Sequence, residues 1–262
     1  MKLSELLINY WHFNWTAAII VLVLVVFHFL TNRRTSPGKH VLFFIGILLL
    51  LLVTLSPLAF LARGYLFSAH MIAHIVLLLV VPPLLLAGTN KDILEKLHRS
   101  QFRKAGDILF ATPVAWLLGI GAMYFWHIPA VFDAMLKYHS IHILHTISLL
   151  VLGIIFIWPV YSPIPWKRLS PLQSALYLFL ACSGCTVLGI LITFSPSDLY
   201  IPYLTGHNFR IWYLIRDSWG ITPAIDQQAG GLIMWVPACI IYLTNIMLIL
   251  AGYFNQPYND TD

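Results

Sequence analysis

Apolar residues run in long unbroken blocks along this chain, and polar residues are confined to the gaps between them. A helix needs about 20 mostly apolar residues to cross roughly 30 Å of hydrocarbon. About seven blocks meet that length, at 14–31, 40–61, 68–88, 107–127, 140–161, 171–194 and 230–253. None alternates with period two, so helices rather than barrel strands are predicted. The expected fold is all-α, an integral membrane bundle in a single multi-pass domain over 1–262. Pro82-Pro83 falls late in the third block, where missing backbone donors predict a kink or a broken helix. The stretch 195–229, rich in Trp, Tyr, Pro and Gly, is expected to pack as an interfacial cap.

Composition narrows the class. A mean hydropathy of +0.83 excludes an ordinary soluble domain, because too little polar surface exists to cover one. The net charge of +5 does not indicate a nucleic-acid partner, since the cations are gathered in three short loops. Arg33, Arg34 and Lys39 form the first, Lys91, Lys96, Arg99, Arg103 and Lys104 the second, Lys167 and Arg168 the third. Such loops mark the cytoplasmic side, which predicts an outer N-terminus and a cytoplasmic C-terminus. The first block carries its positive charge after the apolar run, with no small-residue cleavage site, so a retained helix is expected.

Eleven histidines in so apolar a chain are the candidate chemistry. A polar ring is costly in hydrocarbon, and imidazole is the commonest metal ligand. His70 and His74, one turn apart on one helix face, can chelate a single ion. His142 and His145 share another face, and His139 extends that stripe outward. His127 stands at a sharp exit, Trp126-His127-Ile128-Pro129. At least three helices thus bring histidines to the same leaflet. If their outer ends pack together, an imidazole site would suit Cu(I) or Cu(II), and Zn(II) also fits. The bland alternative is interfacial histidines bonded to loop carbonyls, and bis-histidine ligation of haem competes for the same residues. His207 is a more distant candidate. Met71, beside the first pair in sequence, points elsewhere on the helix and reads as lipid-facing packing.

Asp133 and Asp226 are outer acids that could orient a ligand histidine from behind or cap a helix. The cap is the preferred role for Asp226, directly before an apolar run. Cys182, Cys185 and Cys239 lie within apolar blocks and are no secreted disulfide framework. Cys182-Ser183-Gly184-Cys185 reads first as a run of small residues for close helix approach. Its functional alternative is passage of Cu(I), with Cys239 joining. No phosphate loop, Ser-His-Asp order or HExxH motif is present, and no catalysis is expected.

Four blocks resemble one family. Ser68-Ala69-His70-Met71-Ile72-Ala73-His74 followed by Pro82-Pro83-Leu84-Leu85-Leu86 resembles the distinctive block of CtaG-type cytochrome c oxidase assembly factors. Trp126-His127-Ile128-Pro129 with Phe132-Asp133-Ala134, His142 leading to Trp158-Pro159, and Asp226-Gln227-Gln228-Ala229-Gly230-Gly231-Leu232-Ile233-Met234-Trp235 are similar to three further blocks. One departure stands in the third. Alignment on His142 puts His145 at an acid-or-amide position and Thr146 where the family has a second histidine. The resemblance implies maturation of haem–copper oxidases by helping copper reach them. Oxidase subunits, the lipid bilayer and a soluble copper donor are the partners it suggests, and the bacterial cytoplasmic membrane is the expected location. A histidine-ligated haem protein and a metal-free assembly scaffold are the alternatives.

Overall fold

A computed structural model describes residues 3–31, 36–90, 103–162, 164–205 and 208–255. Among these the chain is helical, without strands. It forms α1 (Leu3–Asn9), α2 (Trp15–Thr31), α3 (Pro37–Leu55), α4 (Pro57–Ala62), α5 (Phe67–Ala87) and α6 (Arg103–Leu109). There follow α7 (Thr112–Trp126), α8 (Pro129–Lys137), α9 (His139–Tyr161), α10 (Pro171–Phe194), α11 (Phe209–Tyr213) and α12 (Pro223–Phe254). The basic segments at 32–35 and 91–102, and His207, lie outside the described residues.

Five helices, α3, α5, α9, α10 and α12, are long and apolar enough to cross a membrane. The bent pair α7–α8 makes a sixth if it is taken as one span. The protein is therefore a multi-pass membrane protein. Apolar side chains such as Leu22, Leu48, Leu176, Leu191, Leu243 and Leu248 point outward from the bundle, as lipid solvation requires. The first expected span, α2, is a shorter apolar helix of 17 residues.

Three expected spans are built differently from their sequence outline. The second ends at Leu55, where Ser56 and Pro57 start the separate helix α4. The fourth is not straight. After α7, Trp126-His127-Ile128-Pro129 turns the chain by 75° into α8, because Pro129 starts a new helix rather than extending the old one. The third is not broken at its prolines. α5 runs on for 21 residues, with a π turn at Val76–Val80 just before Pro82 and Pro83. A proline at 82 cannot donate to the carbonyl of Leu78, and a wider turn there relieves the ring's clash. Gly153 of α9 packs on that carbonyl, where a Cβ would stand 2.6 Å from Leu78 O.

The tightest helix pair is α10 against α12. A Cβ on Gly231 would come within 2.8 Å of Thr193 N and 3.0 Å of Gly189 O, so only glycine allows the backbones to meet. α12 also lies along α5, and α9 lies between α7 and α5. At one end, α1, α4 and residues 211–215 close over the start of α5 through Leu6, Leu61, Leu66, Ile211 and Ile215. Of the expected cap 195–229, residues 211–215 take part in this cluster, which also holds Leu66 and Ala69 just before His70. Lys39, Lys167 and Arg168 belong to the opposite helix ends.

Candidate metal centre

The start of α5 sets the position of the first two histidines. Its N-terminus is capped from another helix, by Asp226 in the first turn of α12. The Asp226 carboxylate accepts from Phe67 N at 2.7 Å, Ser68 N at 3.0 Å and Ser68 Oγ at 2.6 Å. This corrects the expectation that Asp226 caps its own helix. α12 begins at Pro223 and is capped by Thr222, leaving the Asp226 side chain free to reach across. Next to it, Gln227 Nε2 donates to Ile192 O, Ser195 O and Pro196 O, closing the C-terminus of α10. The Asp-Gln pair thus ties three helix ends together.

His70, His74 and His145 form the centre. All three are buried, and one ring nitrogen of each lies within 4.8 Å of the others. Ring centroids are 5.2 Å apart for His70–His145 and 5.6 Å for His74–His145. His127 adjoins the triad, its ring 4.9 Å from His74. His142 lies one turn outward, with Nδ1 3.5 Å from Met135 Sδ. His139 is exposed. Aromatic walls hold the rings, Phe132 at 4.9 Å from His70 and Trp126 at 4.9 Å from His145. Trp126 is fixed in turn by its bond to Ser148 Oγ at 2.9 Å.

Met71 is not lipid-facing. It is fully buried, with Sδ 3.3 Å from His127 Nε2. His127 Nδ1–H donates to Met123 O at 2.6 Å, because a carbonyl can only accept. Its Nε2 therefore carries a lone pair, and that lone pair faces the thioether with no proton between them. A neutral sulfur and a neutral nitrogen so placed make a natural pair of ligands for a soft cation. Spacing alone did not turn Met71 inward, since its neighbour His127 stands 56 residues away in the chain.

Among the described residues neither candidate acid is hydrogen-bonded to a histidine ring. Asp226 acts on α5 as a whole, and Asp133 Oδ1 is buried without a hydrogen-bond partner. The group that orients a ring is the backbone carbonyl of Met123, which accepts from His127 Nδ1–H. The residues that line the way in were not anticipated either. A cavity of about 40 Å³ reaches from the triad to His142 and the exposed Arg63, past Asn14, Thr54 and Thr146.

What remains is an imbalance. Five buried ring nitrogens, His70 Nε2, His74 Nδ1 and Nε2, and His145 Nδ1 and Nε2, have no hydrogen-bond partner. Each unsatisfied buried polar atom costs about 1–3 kcal/mol. An ion shared among the rings would satisfy one nitrogen of each, so the donor set fits a metal.

Fold and site together define a multi-pass helical membrane protein with a buried cluster of histidines, placed so that they could hold a metal ion, at one end of its bundle. The sequence model of the cytochrome c oxidase caa3 assembly factor family matches residues 14–256, and the chain belongs to that family. A relative from Mycobacterium leprae, an uncharacterized protein, is 24% identical over 213 residues. The alignment covers 73% of this chain but only 30% of that protein, so the chain spans about a third of its relative's length. No solved structure matches.

Proposed function

We propose that this protein binds Cu(I) at His70, His74 and His145, flanked by His127 and Met71, and passes it to a haem–copper oxidase subunit during assembly. The observation that carries the reading is the set of partnerless imidazole nitrogens gathered around one point. The family supplies the oxidase as client.

Valence follows from charge. All the donors are neutral, and among the described residues no carboxylate joins the triad. Desolvation rises steeply with the charge of a buried ion, so a monovalent ion is held at far lower cost than Zn(II) or Cu(II). A thioether beside imidazoles adds preference for Cu(I). Haem is disfavoured by space, since about 40 Å³ admits an ion and a small ligand but no macrocycle. Neutral ligands under a thin helical cap also suit a cargo that must leave, because none of them has to be protonated to release it. The histidine end faces outward across the bacterial cytoplasmic membrane, opposite the basic helix ends, where a soluble donor can reach it.

The test is metal content of the purified protein after loading with Cu(I) or Zn(II), beside a His70→Ala/His74→Ala variant. One copper per protein in the parent, lost in the variant, is the expected result. Copper equal in both, or absent from both, overturns the ligand assignment. Full oxidase maturation with the double variant would favour a metal-free scaffold.

A further inference from the structure

A second soft-ligand cluster lies outside the histidine centre, where α10, α12 and α7 meet. Cys182 and Cys185 share a face of α10, near its midpoint, and Cys239 faces them from α12. Cys182 Sγ is 2.7 Å from Cys239 Sγ, and Thr186 Oγ1 is 3.2 Å from Cys239 Sγ. One turn along, Cys185 Sγ is 3.6 Å from Met123 Sδ and 3.6 Å from Tyr242 Oη. Cys185 and Met123 are fully buried, and all three cysteines are free thiols. Small residues for close packing do not by themselves explain this convergence. The close approach to α7 is served by Gly184, beside Ile120, with its carbonyl accepting from Tyr124 Oη at 2.9 Å.

Met123 belongs to both clusters. Its carbonyl fixes the His127 tautomer, and its sulfur touches Cys185. Met71, His127, Met123 and Cys185 thus follow one another from the histidines into the bundle, His127 meeting Met123 through its backbone carbonyl and Cys185 meeting it through its sulfur.

We propose that Cys182 and Cys239 are a second Cu(I) site, with Cys185 and Met123 as the link to the histidine centre. The choice of copper rests on the function proposed above, whereas the softness of the site does not. Thiolate and thioether donors select Cu(I), and the oxygens beside them, the Thr186 and Tyr242 hydroxyls, are neutral and poor ligands for so soft an ion. Binding one Cu(I) displaces one proton, leaving a thiolate and a thiol on the ion and no net charge in the hydrocarbon. The Thr186 hydroxyl is at hand to share the remaining thiol proton. Metal–sulfur bonds are about 2.3 Å, so the two sulfurs must move apart to admit the ion, and rotation about χ1 of either cysteine allows it.

The experiment is anaerobic Cu(I) titration of the full chain in detergent against a chromophoric Cu(I) chelator, with X-ray absorption at the copper edge. The parent is expected to bind two Cu(I). His70→Ala/His74→Ala should keep one, with sulfur neighbours only, and Cys182→Ser/Cys239→Ser should keep one, with nitrogen neighbours. Cys239→Ser alone, checked for an unchanged melting temperature, guards against a folding defect in the double variant. Thiol variants that bind as much as the parent overturn the proposal. So does a histidine variant that binds none, or a Cys182–Cys239 disulfide in place of copper uptake. A parent binding one sulfur-ligated copper, retained in the histidine variant, would instead sink the histidine assignment and leave the thiol site standing.

Discussion

The Asp226 carboxylate accepts the backbone N–H of Phe67 at 2.7 Å, across 159 residues of chain. Phe67 is the first residue of the helix that carries His70 and His74. A side chain that never meets the histidines therefore sets where both of them stand. Hydrogen bonds to a charged group contribute about 1.5–3 kcal/mol each. Asp226→Ala is expected to lower the melting temperature and weaken Cu(I) binding by at least about tenfold, a ratio worth about 1.4 kcal/mol. Asp226→Asn, which keeps one acceptor oxygen, should fall between. Unchanged copper affinity in the alanine variant would show that the α5 cap does not position the site.

Met71→Leu keeps the volume of a buried residue and removes the thioether. Such swaps usually cost less than about 1.5 kcal/mol in stability. Cu(I) affinity should drop while Zn(II) affinity stays level, as competition titrations with both ions would reveal. An equal effect on both ions would mean that Met71 only packs.

Arg63 is exposed at the mouth of the cavity and also lines it with His70, His74, His142 and His145. A guanidinium stays charged, and its field opposes a second cation. Arg63→Gln is thus expected to speed Cu(I) entry and tighten its binding, most visibly at low salt. Stopped-flow uptake at two ionic strengths checks this, and slower uptake in the variant would reverse the assignment.

His142 and His145, two of the three histidines of α9, should separate cleanly. His145→Ala removes a member of the triad and is expected to abolish stoichiometric copper. His142→Ala, whose ring faces Met135 instead, should leave one copper bound with a modest loss of affinity. Equal losses would place His142 inside the coordination set.

Gly153 packs on the carbonyl that Pro82 leaves without a donor. Gly153→Ala would force α9 away from α5 and so separate His145 from His70 and His74. Reduced yield of folded protein, and loss of copper from what does fold, are expected by size exclusion and metal analysis.

The sequence by itself determined the membrane class, most of the spans and the histidines of the candidate centre. Hydrocarbon admits only long apolar helices, and a buried imidazole is too costly to be incidental, so both leave marks in one dimension. The spacing of His70 and His74 already places them on one face. Tertiary structure alone decided which histidines meet. His145 joins the triad, whereas His142, on the same stripe of α9, lies one turn outward with its ring against Met135 Sδ. It turned Met71 inward against His127, bent the chain by 75° after His127, and sent Asp226 to cap a helix other than its own. It also let α5 pass its two prolines by way of a π turn. Each of these depends on how helices cross and how closely they approach, and hydropathy, which sees one helix at a time, carries no record of either.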